Sequence, residues 1–130
     1  MELVTDDIKA RLLANWSDQH EDHAPVVKYF DPAGAATWLI TEMSPKDNDI
    51  LFGLCDLGMG FPELGYVSLG ELESVKGRFG LGLERDLHFE ARYLLSVYAE
   101  AARQAGRITE SERALAHAAA APDAAKRRRP

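Results

Sequence analysis

The stretch Phe52-Gly-Leu-Cys-Asp-Leu-Gly-Met-Gly-Phe-Pro-Glu-Leu-Gly-Tyr-Val-Ser-Leu-Gly-Glu-Leu72 decides the fold. Two apolar runs, Ile50 to Leu57 and Leu64 to Leu69, flank a connection holding Gly58, Gly60 and Pro62, the composition of a turn between consecutive strands. The first run is apolar at successive positions, as a strand covered on both faces must be, which places it inside a sheet.

Outward from this hairpin the alternating period continues. Val26 to Phe30 and Thr37 to Glu42 read as strands, joined by the turn Asp31-Pro-Ala-Gly34, and Ser44 to Asp49 is a second polar turn leading into Ile50. Tyr66 to Leu69 is the predicted fourth strand, and Leu83 to Phe89 a last edge strand after the glycine-rich loop Gly77 to Gly82. Connections this short join antiparallel neighbours, because a parallel pair needs a crossover of about a dozen residues, so the strand order is a meander.

Helices bracket the sheet. Thr5 followed by Asp6 and Asp7 is a helix start, with Ile8, Leu12, Leu13 and Trp16 on one face and an end near Ser17. Asp18 to Pro25 is polar without periodicity and reads as a linker. Ser68 and Glu71 form a capping box for a short helix running to about Lys76. Leu94 to Gln104 carries an apolar face of Leu94, Val97, Tyr98 and Ala101 before Gly106. Thr109 and Glu112 form a second capping box for an alanine-rich helix that Pro122 stops. Its apolar stripe is thin, which predicts a marginal helix or one that packs on another molecule. The expected fold is therefore α+β: an N-terminal helix, a central, mostly antiparallel sheet of four to five strands, and C-terminal helices on one face. The segments are residues 1–24, helix and polar linker; 25–108, the core α+β domain; and 109–130, the alanine-rich helix and a basic disordered tail.

Composition narrows the function classes. A chain of 130 residues, 46% apolar and 28% charged, suits one globular domain, and no apolar stretch reaches the ~20 residues of a membrane span. The acidic opening with Glu2, Asp6 and Asp7 is unlike a secretory leader, and the single cysteine, Cys55, suits a reducing compartment, so a cytoplasmic location is expected. Residues 1–100 hold 18 Asp and Glu against 8 Lys and Arg, a balance of −10, while residues 101–130 hold 3 against 7, a balance of +4. The acidic body argues against direct nucleic-acid binding by the folded part.

Long blocks of this chain resemble a known family. Pro25 to Phe30, Ala36 to Glu42, Phe52 to Gly60, Pro62 to Leu69, Glu84 to Phe89 and Leu95 to Gly106 are similar to the bacterial family catalogued as domain of unknown function 2958, over most of residues 25–108. The resemblance implies an accessory role in conjugative plasmids and integrated mobile elements, and it brings no catalytic residues with it.

Candidate chemistry is sparse. Asp56, Glu63 and His88, with Glu42 from the adjacent strand, are the set that could form an acid and base constellation, as in a small metal-assisted or acid/base hydrolase. Asp56 shares a strand face with Phe52 and Leu54, and its plainer role is a turn carboxylate bonding the loop after Leu57. Cys55 points to the opposite face, a core position. His20 and His23 with Asp18 and Asp22 have the donor types of a zinc or nickel site, but a linker cannot hold ligand geometry, so no metal and no cofactor is expected. Gly58-Met-Gly60 lacks the lysine of a phosphate loop. The reading favoured is a non-enzymatic binding module. Met59, Phe61, Pro62, Glu63 and Tyr66 engage a protein partner, a host-defence or conjugation component, with an acidic face selecting it. A DNA-mimic inhibitor of a nucleic-acid-binding protein is the third reading.

Overall fold

Alternation in the sequence becomes a five-stranded, wholly antiparallel sheet. The structure, a computed structural model, describes residues 1–121 apart from the side chain of Arg78. The strands are β1 (Val27–Phe30), β2 (Thr37–Met43), β3 (Ile50–Asp56), β4 (Glu63–Ser68) and β5 (Glu84–Arg85), and the helices α1 (Asp6–Trp16), α2 (Leu69–Ser74), α3 (Leu95–Ala105) and α4 (Glu112–Ala119). The sheet order is β4-β3-β2-β1-β5. The first four strands are the expected meander, and β5 returns to the far side to pair with β1 over Tyr29 and Phe30. β4 begins at Glu63, three residues before the expected start, because the whole of Glu63–Ser68 finds partners in β3. β5 is shorter than expected, since only Glu84 and Arg85 pair.

Both faces of the sheet are covered. On one, Leu12 of α1 and Leu72 of α2 pack against Tyr29, Trp38, Ile40 and Leu51; on the other, Leu95, Tyr98 and Ala102 of α3 and Leu115 of α4 pack against Leu39, Phe52 and Leu54. The N-terminal helix is thus part of the core, and the boundary drawn at residue 25 separates sequence blocks rather than bodies. α4 corrects a second expectation: it packs within the chain, burying Leu115 and Ala118 against α3, because two buried side chains one turn apart suffice for a helix of eight residues laid across a neighbour. Its N-cap is Ser111, which accepts from the Ala114 N–H at 3.2 Å, while Thr109 accepts from the N–H of Ser111. Lys28 on β1 holds Glu110 at 2.5 Å and Asp86 at 3.3 Å, tying the approach to α4 to the sheet. Pro122 and the basic tail lie outside the described residues.

Two of the three caps read from the sequence, Thr5 and Ser68, form where expected. Thr5 Oγ1 accepts from the Ile8 N–H at 3.3 Å, and Ser68 Oγ from the Glu71 N–H at 3.2 Å. The second cap has a helper that the sequence reading missed. Asp49 takes the Ser68 hydroxyl at 2.7 Å and the Gly70 N–H at 2.8 Å, and these bonds hold its carboxyl below the usual carboxylate range.

Candidate functional site

Asp56, Glu63 and His88 do not meet. Glu63 opens β4 at one edge of the sheet and His88 follows β5 at the other, about four strand spacings of ~4.8 Å away. Asp56 and Glu63 also lie on opposite faces, because Glu63 pairs with Cys55, whose side chain alternates with that of Asp56. Asp56 itself is 2% exposed, with one carboxylate oxygen accepting from the Gly58 N–H at 2.8 Å and the other from the Ile108 N–H at 2.9 Å. It fastens the β3–β4 turn and the segment after α3 to each other. Arg85 is not among its donors: the guanidinium is bonded to the Glu2 carbonyl. Cys55 packs against the α1-side core, and burial together with the Glu63 carboxylate pushes its thiol up to about 11, far from a poised nucleophile.

The predicted binding loop projects outward. Phe61 is 80% and Met59 73% exposed, Tyr66 and Glu63 are exposed, and Pro62 is half-buried. Gly58 (φ +80°) and Gly60 (φ +89°) turn the chain in the left-handed region, and a side chain at Gly58 would in addition meet Ala35 Cβ at 2.8 Å. Phe61 and Tyr66 flank a groove along β4 whose walls include Trp38, Cys55 and Leu64. The outer edge of β4 carries no strand among the described residues.

A second feature lies where the strand pattern breaks. β2 pairs Ile40 with Gly53 but Glu42 with Phe52, so Thr41 is an extra residue and the strand bulges. Strict alternation would aim Glu42 at the α1 face with Trp38 and Ile40; the bulge turns it to the α3 face beside Phe52. Asn15 Nδ2 of α1 donates to the Thr41 carbonyl at 2.9 Å, and the Thr41 hydroxyl lies 3.2 Å from Glu42 Oε2 and 3.3 Å from the Phe52 carbonyl. Glu42 is 2% exposed and borders a pocket of about 70 Å³, walled further by His20, Asp22, Phe52, Leu64 and Ser96.

That pocket corrects the reading of Asp18 to Pro25 as a loose linker. Asp22 bonds both the N–H (3.2 Å) and the hydroxyl of Ser96, the His23 carbonyl accepts from the Leu95 N–H at 2.9 Å, and His23 Nε2 lies 2.8 Å from the Asp18 carbonyl. The connector is therefore the N-terminal cap of α3, which lacks a capping side chain of its own. Among the described residues no group of three or more His, Cys, Asp or Glu side chains could hold a metal ion. The sequence signal for the pocket was Glu42 itself, the one ionisable side chain in a strand whose other residues are apolar or threonine. Asp22, Thr41 and Ser96 had none.

No helix among the described residues is long and apolar enough to cross a membrane. No curated protein and no solved structure matches the chain. The family model described as "Protein of unknown function (DUF2958)" matches residues 3–109, taking in α1, all five strands and α3, and on that extent of agreement the chain belongs to this family.

Proposed function

We propose that this protein is a non-enzymatic binding module that engages a protein partner through the β3–β4 tip and the adjoining edge of β4, in the accessory, mobile-element setting and the cytoplasmic location that the sequence suggests. The observation that carries the reading is the exposure of Phe61 and Met59 together at the end of the β3–β4 hairpin, with Leu57 and Tyr66 also exposed. An aromatic ring and a thioether held out in water by a turn supply contact area for a partner. The open edge of β4 adds unpaired backbone N–H and C=O groups alongside. Glu63 and the acidic balance of residues 1–100 select for a partner of opposite charge.

The test uses the paired variant Met59→Ser, Phe61→Ser. Both side chains are solvent-exposed, so the variant should unfold at the wild-type temperature, yet it should no longer capture from the native host the protein that the wild type captures. Capture by the tip should weaken little with added salt, whereas a DNA mimic would lose its target steeply. Undiminished capture by the variant would refute the role of the tip.

A further inference from the structure

We infer that α4 is a detachable strap: it lifts off α3 as one unit while the rest of the domain stays folded, and the ion pairs at its start set how often it does so. The inference goes beyond the binding role proposed above and does not depend on it. Two independent boundaries fall at the same place. Asp56 holds the Ile108 N–H at 2.9 Å, so the chain is fastened to β3 up to that residue, and the family model ends one residue later, at 109. α4 lies beyond both.

Packing gives α4 a small hold. Leu115 and Ala118 are its buried side chains, and they join the cluster of Leu54, Tyr98 and Ala102. Against that one isobutyl group and one methyl stands the conformational freedom of every residue from Thr109 to Ala120, which docking removes. A helix of eight residues is also too short to persist alone in water, where even about 12–15 are marginal. α4 therefore has two states: docked and helical, or lifted and unwound. The sheet is held differently, since β2 is buried at every residue from Trp38 to Met43 and paired on both sides. Lifting α4 breaks none of that pairing.

Charge supplies the rest of the hold. Lys28 lies 2.5 Å from Glu110, Arg92 bonds the Glu112 carboxylate and, at 2.8 Å, the Glu110 carbonyl, and the Tyr93 hydroxyl donates to Glu112 at 2.7 Å. These bonds grip the strap at or before its first helical residue and leave Leu115 and Ala118 to hold the remainder. Arg92 and Glu112 are 45% and 60% exposed, so dissolved ions screen their attraction, and salt loosens the strap without touching the apolar contacts of the sheet. The face that α4 leaves belongs to the helix that abuts the β3–β4 tip: a Cβ at Gly106, the C-cap of α3, would stand 3.8 Å from the Gly60 carbonyl.

Amide hydrogen exchange of the ¹⁵N-labelled full-length protein is the test. The amides of Leu115 to Ala120 should be at least ~100-fold less protected than those of β2 and β3. Raising NaCl from ~0.02 to ~0.5 M should cut their protection at least ~threefold and leave that of the two strands unchanged. The paired variant Lys28→Gln, Arg92→Gln should show the lowered protection of α4 already at low salt, with no further salt response. Leu115→Ala should lower it at least ~tenfold, again with β2 and β3 as in the wild type. Protection of α4 equal to that of the strands, no salt response in the wild type, or a salt response that survives in the paired variant overturns the inference. So does a Leu115→Ala variant that loses protection in β2 and β3 to the same extent or fails to fold, since α4 would then belong to the one cooperative unit of the domain.

Discussion

Asp56→Ala should cost the fold about 3–5 kcal/mol. The carboxylate accepts two backbone N–H groups, Gly58 at 2.8 Å and Ile108 at 2.9 Å, and at 2% exposure water cannot take its place. Each charge-assisted bond contributes roughly 1.5–3 kcal/mol, and truncation leaves the donors without an acceptor. Against a total stability of about 5–15 kcal/mol for such a domain, the loss would move the urea midpoint by a large fraction of its value. Asp56→Asn is the discriminating companion. It keeps the shape and one carbonyl acceptor but turns an amide N–H₂ toward the other backbone donor, so its cost should be about half that of alanine. Urea unfolding followed by tryptophan fluorescence reads both values, with the slope against denaturant unchanged. An Asp56→Ala variant within about 1 kcal/mol of the wild type would refute the reasoning. So would a fully stable variant that had lost a hydrolytic activity, because Asp56 would then be working on a substrate instead of on Gly58 and Ile108.

Two further outcomes follow from packing and protonation. Gly53→Ala should destabilise the fold by about 4 kcal/mol or more, because its Cβ would stand 2.0 Å from the Leu39 carbonyl oxygen and 2.9 Å from Ile40 Cα; Gly65→Ala, with nothing within 4 Å, should stay within about 1 kcal/mol of the wild type, and thermal melts of the pair check this. Cys55 should alkylate at least ~100-fold more slowly in the folded than in the unfolded protein at pH 8. Burial and then Glu63 push its thiol from 9.0 to about 11, so the folded state holds its proton longer, and stability, unaffected below ~pH 8, should fall by roughly 2–3 kcal/mol as pH rises from 9 to 11. Tyr29, raised chiefly by its burial, adds to the loss above pH 10, and a flat stability profile up to pH 11 would contradict both assignments.

The two candidate surfaces differ in how far they could be read in advance. The Met59 to Glu63 tip was legible because glycine and proline between apolar runs mark a turn whatever surrounds it, and a turn at the end of a hairpin exposes its side chains. The Glu42 pocket was only half legible. A carboxylate in the apolar run Thr37 to Met43 signalled something unusual, but the residues that meet it come from β2, β3, β4, α3 and the connector after α1. The grouping of Asp56, Glu63 and His88 failed for the converse reason: nearness to one loop in the sequence says nothing about which edge of a sheet a strand will occupy.

What the sequence determined by itself was everything governed by neighbours a few positions apart. The strand period, the turns at Asp31 to Gly34 and Ser44 to Asp49, and the caps at Thr5 and Ser68 depend on contacts within about four residues, which each segment carries wherever it goes. Pairing and register belong to the tertiary structure alone. β5 crossing to β1, the extra residue at Thr41, Asp22 capping a helix 74 residues away and α4 closing over α3 all depend on which distant backbone supplies the partner. Because side chains in a strand alternate, a single bulge in that pairing decided which face of the sheet Glu42 would serve.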